Sequence, residues 1–467
     1  MEAGNKGRGN EKQSRKTFRR RLDDMIRTLR GEILTGQRRD GEFLPSEREL
    51  AVHFQLSNKL VRAGLEELVA EGLIQKLPRV GNRVQVPPSG QPVRIRFGYH
   101  STLESDVEME RLLDGFHAAH PGIRVQPLPI SFHNYHETVT EYMEAGLLDV
   151  VTMNYNNYER FRSQGSLAML EPLEPDERIF PFLSEAFRQE GAAYARPFVF
   201  SPLILCYNLD HLAEKKVRWP REPMEWHTLI RLASRLTVEN ERFGFYFFLL
   251  SINRWPVFLL QNGMRWDGSA DGAAEAVERI VEGLKLCRSM IYARDTFPTY
   301  LSGSDADAEE LFREGKVSVI MTSYFALNRL RGSGVRFDVA PLPGGREDKT
   351  ILMTIGLAVN GRSEEKVASR TLVDYLVSDR TQAEIGQLTF SLPAVREAAE
   401  SESPGHPERP PHFRMFEERT DTFRLITELN LSLAQLEAVM KEARLYWAKL
   451  LSEQALKRRL AELLLAR

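Results

Sequence analysis

The chain has 467 residues, 42% hydrophobic and 27% charged, with a formal net charge of −2; this predicts two or three globular domains with real cores. No apolar run reaches the ~20 residues that span a bilayer, so no membrane-crossing helix is expected. The two cysteines, Cys206 and Cys287, lie far apart among apolar residues, which excludes a disulfide framework and predicts buried thiols in a reducing compartment.

The charge is uneven. Residues 1–88 carry 18 Lys and Arg against 12 Asp and Glu, a balance of +6, which leaves about −8 for the rest. A basic first segment on an acidic body points to a polyanion partner for that segment. The opening, MEAGNKGRGNEKQSRKTFRRRL, is polar and basic with no apolar h-region, so a cytoplasmic chain is expected.

In chain order, residues 1–17 read as a polar disordered tail. A helix over 18–35 places Leu22, Ile26, Leu29 and Ile33 on one stripe. The connector GQRRDGEFLP follows. Ser46 with Glu49 three residues on is a capping box opening a second helix. Ser57 caps a third helix, SNKLVRAGLEEL. It packs Val61, Leu65 and Leu68 and turns Asn58, Lys59 and Arg62 outward. GLIQKLPRVGNRVQV is two extended runs about a turn, hence a β-hairpin. Three helices and a hairpin over 18–86 form a winged helix-turn-helix. Its third helix can enter a major groove, with Asn58, Lys59 and Arg62 on base edges or phosphate. Ser46, Arg48 and Ser57 suit the backbone, and a wing of Arg79, Gly81 and Arg83 can reach the minor groove.

The stretch PPSGQP within 87–93 is a linker. After it, helical stretches alternate with short apolar strands such as IRVQPL, LDVVTM and VSVIM, which predicts α/β layers over 94–467. The last residues, from about 421 on, read as helical.

Two resemblances sharpen this reading. LPSEREL at 44–50 and LSNKLVRAGLEELVAEGLI at 56–74 resemble the GntR family of bacterial regulators. Gly41, Pro45, Ser46, Glu47, Arg48, Leu50, Ala51, Ser57, Val61, Arg62, Leu65, Leu68, Gly72 and Leu73 match the family pattern. The resemblance implies that Arg48 and Arg62 contact DNA. The chain departs from the pattern at Asn58-Lys59-Leu60, at Gly64 where alanine is usual, and at Arg79 where the wing usually has glycine.

From residue 94 onward, FHAAHPGIRVQ, GLLDVVTMN, GSLAMLEPL, YARPFVFSPLILCYNLDHL, LFREGKVSVIM, FDVAPLPGG and LVDYLVSDRTQAEIG resemble, in family order, the family 1 extracellular solute-binding proteins of the maltose-binding type. This implies a multidomain chain: a winged helix-turn-helix followed by a two-lobed α/β periplasmic-binding-protein-like (type II) domain. Lobe 1 is expected over about 94–200 and 339–388, and lobe 2 over about 201–338 and 389–467. The chain should cross between lobes near 197–205 and again near 338–344. The ligand is expected to be a sugar or oligosaccharide in the cleft. Candidate ligand residues are Tyr99, His100, Asn134, Tyr135, Asn154, Tyr155, Trp255, Trp266, Tyr324, Thr354 and Gly356, since rings stack on sugar faces and polar groups bind hydroxyls.

No catalytic residue, cofactor or metal is expected. His117 and His120, and His133 and His136, have i, i+3 spacing, but no cysteine or carboxylate cluster completes a site. There is no phosphate-binding glycine loop and no G-x-S-x-G elbow. The expectation is a cytoplasmic, non-enzymatic transcriptional regulator that binds palindromic operator DNA as a homodimer and senses a carbohydrate. The alternative is a regulator whose second domain binds no small ligand and signals through a protein such as a transporter component.

Overall fold

A computed structural model describes residues 21–465 except 23, 34–35, 71, 78–79, 86–91, 132–133, 221–223, 294–295, 299–300 and 402–404. The expected tail 1–17, Arg79, most of the linker 87–93 and His133 lie outside the described residues.

The N-terminal head contains α1 (24–33), α2 (Glu47–His53), α3 (Asn58–Ala70) and a hairpin of β1 (Ile74–Leu77) and β2 (Gly81–Val84). The strands pair antiparallel from Ile74 opposite Val84 to Leu77 opposite Gly81. The capping box forms: Ser46 Oγ accepts from the Glu49 N–H at 3.3 Å, and the Glu49 carboxylate accepts from the Ser46 N–H at 2.8 Å. Met25, Ile26, Leu29 and Ile33 of α1 pack on Leu50, Val61, Leu65, Leu68, Ile74 and Val84. A Cβ on Gly64 would sit 2.5 Å from Met25 Cε and 3.0 Å from Leu22 Cδ1. The glycine therefore lets α1 and α3 approach more closely than alanine would.

The remainder is built on a ten-stranded sheet of order β4-β3-β5-β12-β8-β10-β9. Its strands are β3 (Val93–His100), β4 (Ile123–Ile130), β5 (Val150–Asn154), β8 (Arg196–Asn208), β9 (Phe243–Tyr246), β10 (Val317–Ser323), β11 (Phe337–Ala340), β12 (Thr350–Val359), β13 (Leu392–Pro393) and β14 (Phe423–Arg424). A separate ribbon pairs β6 (Arg188–Gln189) with β7 (Ala192–Ala193). In lobe 1, β3 runs parallel to β4 and β5. In lobe 2, β9 runs parallel to β10, which is antiparallel to the second half of β8.

The long strand β8 makes the first crossing, as the resemblance to the solute-binding family implies. The return crossing differs from the expectation near 338–344. β11 pairs only with Leu205–Asn208 of β8 and stays in lobe 2. β12 instead passes between the lobes, pairing with β14 and β8 at one end and with β5 at the other. Its register against β8 shifts between Ile355 and Gly356, a bulge that bends the strand at the passage. No helix among the described residues is long and apolar enough to cross a membrane.

Candidate functional site

Two surfaces carry the candidate chemistry. On the head, Ser46, Arg48, Ser57, Asn58, Lys59, Arg62, Gly81 and Arg83 are all exposed. The capping oxygen of Ser57 accepts from the Leu60 N–H at 3.4 Å, which starts α3 with Asn58 and Lys59 at its open N-terminal end. Arg62 lies one turn further on and is held by Glu47 of α2, with Nη2 to Oε2 at 2.8 Å and Nε to Oε1 at 3.3 Å. The Arg62 guanidinium keeps the Glu47 carboxyl below the usual carboxylate range. On the wing, Arg83 donates to Gln75 Oε1 at 2.9 Å. Gly81 has φ +140°, a conformation that favours glycine at this turn.

The second surface is the seam between lobes, at the C-terminal ends of β3, β5, β9 and β10. From lobe 1 come His100, Asn154, Tyr155 and Asn156. Asn154 Oδ1 caps the helix Tyr155–Ser163 by accepting from the Asn157 N–H at 2.9 Å. Burial lowers His100 to about 4, helped by the positive charge of Arg329; its imidazole is therefore neutral at pH 7 and can both donate and accept. From lobe 2 come the half-buried Phe248, Leu249, Leu250 and Ile252 and a charged group. Arg254 lies 3.4 Å from Asp305 and 3.5 Å from Glu309, and Arg329 lies 2.9 Å from Glu309. Arg254 also reaches Met353 Sδ on the crossing strand at 3.8 Å. Burial pushes Glu309 up to about 7, against the pull of both arginines.

Bonds tie the lobes across this seam. Asn156 Nδ2 donates to Asn253 Oδ1 at 2.9 Å, and the Tyr155 and Thr427 hydroxyls lie 2.7 Å apart. Arg331 donates to the Ser105 carbonyl at 2.8 Å and pairs with Glu108 at 2.8 Å. Ser391 Oγ donates to the Asp106 carbonyl at 2.6 Å.

The structure corrects several expected ligand residues. Trp255 is 1% exposed and packs in the lobe-2 core. Tyr324 is fully buried; its hydroxyl donates to the Phe413 carbonyl at 2.7 Å and its ring meets Phe413 and Phe416 edge-on. Trp266 spends its indole N–H on the Ser269 carbonyl at 3.0 Å. Thr354 is buried against the Val199 carbonyl, and a Cβ on Gly356 would lie 3.0 Å from Ala195 Cβ and Phe187 Cε2. Tyr99 is buried with its hydroxyl on Glu104 at 3.3 Å, and Tyr135 is buried with its hydroxyl on the Thr152 carbonyl at 2.8 Å. Asn134 is exposed, with φ +58° at the start of the helix Tyr135–Glu144. In each buried case the side chain is engaged by the core. His100, Asn154 and Tyr155 are the expected residues that the structure brings to the seam. Sequence reasoning missed Asn156, Asn253, Arg254, Glu309 and Arg329. For Arg254 a signal existed: it is the single charge between Arg242 and Arg265.

Among the described residues, no group of three or more His, Cys, Asp and Glu is placed to hold a metal ion. His117 Nε2 accepts from the Val125 N–H at 3.1 Å, and His136 Nε2 meets Gln164 at 3.1 Å.

With this geometry in hand, the bacterial extracellular solute-binding protein family matches residues 111–413. The chain belongs to that family. Its head, residues 23–84, matches the gntR family of bacterial regulatory proteins, so this solute-binding-family chain is a fusion with a GntR winged helix. A binding protein of Brucella abortus (strain 2308) is 24% identical over 311 residues, covering 62% of this chain and 73% of that protein. The substrate-binding protein Lmo0181 of Listeria monocytogenes, in complex with cycloalternan, superposes with a TM-score of 0.67 at 17% identity, covering 80% of this chain and 98% of that one. The maltose-bound MalE3 of T. maritima gives a TM-score of 0.66 at 19% identity, covering 80% and 99%. These structures share the two-lobed α/β fold of this chain.

Proposed function

We propose that this chain is a transcriptional regulator that reads operator DNA with its head and senses a carbohydrate between its lobes. The observation that carries the reading is the exposed row Arg48, Asn58, Lys59 and Arg62 on one end of a chain whose other end is a two-lobed binding fold. A domain that reads DNA works where the DNA is, so the chain acts in the cytoplasm. One α3 reads a half-site, so a two-fold homodimer on a palindromic operator is the expected assembly. The DNA contacts are Ser46, Arg48, Ser57, Asn58, Lys59, Arg62, Gly81 and Arg83. The effector contacts are His100, Asn154, Tyr155, Asn156, Arg254 and Arg329. A saccharide's hydroxyls suit a neutral imidazole, amides and guanidinium groups together. The bound carbohydrates of the Listeria and T. maritima proteins support the ligand class. No catalytic step belongs to this reading.

A second reading has an observation in its favour: Trp255 and Tyr324 are both buried in the core, which removes two candidate stacking platforms. In it the binding fold takes no small ligand and signals through a protein partner. Thermal-shift screening of the full chain against mono- and oligosaccharides separates the two. Stabilisation by a saccharide supports the sensor; a folded protein that none of them stabilises favours the partner reading.

A further inference from the structure

The head is joined to the body by more than its linker. Helix α1 lies against the lobe-1 helix Lys366–Leu376. A Cβ on Gly31 would lie 2.9 Å from Val367 Cβ and 3.0 Å from its Cγ2, closer than side-chain carbons come, so glycine is what permits this approach. Just past α1, Gln37 Nε2 donates to Thr371 Oγ1 at 2.8 Å. Val367 and Thr371 are i, i+4 and so share one face of their helix, and Thr371 Oγ1 in turn donates to the Val367 carbonyl at 2.9 Å. Ala368, Leu372, Val373 and Leu376 bury the other side in the lobe-1 core.

That helix is itself anchored to the strand where the body begins. Ser363, just before it, donates to Asp149 Oδ1 at 2.7 Å, and Asp149 also accepts from the Arg96 backbone and Nε of β3, both at 2.8 Å. The strand that follows the linker and the helix that receives α1 are thus clamped to one buried carboxylate in lobe 1. The docking leaves Arg48, Asn58, Lys59 and Arg62 exposed.

We propose that this contact is a permanent joint: the head rides on lobe 1 as one body, and the effector signal is the movement of lobe 2 relative to that fixed head. The bulge at Ile355 and Gly356 lies at the end of the pairing of β12 with β5 of lobe 1, where the strand passes to lobe 2. The joint stands without any functional reading; only its role as the signal's reference frame rests on the regulator proposed above.

The test is cross-linking of the full-length Gln37→Cys/Thr371→Cys chain with a short bis-maleimide, since the native Cys206 and Cys287 are buried. Peptide mass spectrometry is expected to find the 37–371 cross-link in equal yield with and without maltose. In a Gly31→Leu background, checked for an intact fold by circular dichroism, the yield should be lost. The cross-linked protein should keep its duplex-DNA affinity and any saccharide response. Absence of the cross-link in the parent chain, or equal yield with Gly31→Leu, overturns the joint. A cross-link that abolishes the saccharide response while DNA binding persists also overturns it, because the head must then move. A chain that cross-links as expected but binds neither DNA nor saccharide overturns the regulatory reading and leaves the joint standing.

Discussion

Glu47 grips Arg62 across the turn between α2 and α3, with Nη2 to Oε2 at 2.8 Å and Nε to Oε1 at 3.3 Å. The pair is largely exposed, so it adds little stability; its effect is to aim the guanidinium. Arg62→Ala should weaken specific duplex binding by roughly 1–3 kcal/mol and relax preference at one base position. Fluorescence anisotropy with a duplex selected from a random pool by the full-length protein, and with its single-base variants, checks this. Unchanged affinity and unchanged preference would remove Arg62 from the reading surface.

Gly64 is where α1 and α3 touch. Gly64→Val would drive methyl groups into Met25 and Leu22, and overpacking of this kind costs about 1–3 kcal/mol. The melting temperature of the full chain's head transition should fall while that of the two-lobed body stays in place. An unshifted head transition would mean that α1 packs elsewhere.

Tyr324 and Trp255 belong to the core. Tyr324→Phe leaves the buried Phe413 carbonyl without its donor, at a cost of about 1–3 kcal/mol. Trp255→Ala opens a cavity worth about 3–5 kcal/mol. Both variants should lose stability in denaturant titrations, and Tyr324→Phe should keep saccharide affinity. A stable Tyr324→Phe that loses saccharide binding would return Tyr324 to the ligand site.

Asp106 lies at the seam, and burial pushes its carboxyl up to about 7, with Arg329 and Arg331 pulling it down and Glu309 pushing it up. An unfolded aspartate titrates near ~3.9. Between those values the folded state holds a proton that the unfolded state has released, so Asp106 makes stability fall as pH rises from about 4 to about 7. Asp106→Asn should flatten that slope in melting temperatures measured across this range. An identical slope in the variant would show that Asp106 is ionised throughout.

Much of this was legible in sequence, and the gaps have physical causes. The head was read closely because each signal there is local: Ser46 and Glu49 make their own cap, and the periodicity of Val61, Leu65 and Leu68 sets the buried face. The crossing of β8 followed from the resemblance of its segment to the solute-binding family. The second crossing was misplaced because β11 and β12 are both apolar strands close in sequence, and only their pairing with β8 and β5 distinguishes them. Tyr324 and Trp255 depart from their expectation for a related reason. A ring just past a strand or just before a helix can turn into the core or into the seam, and Tyr324 and Trp255 turn inward. Glu309 and Arg329 carry no local signal in the sequence; only tertiary packing brings Glu309 between Arg254, at 3.5 Å, and Arg329, at 2.9 Å.

The most direct test of the account is linkage between the two ends of the chain. A duplex selected from a random pool by the full-length protein would be titrated by anisotropy, with and without the saccharide that most raises its melting temperature. The account predicts that the saccharide changes the duplex Kd, and that the duplex changes the saccharide Kd by the same factor. A duplex Kd that no saccharide on the panel alters, or a pool from which no duplex is enriched, would contradict it.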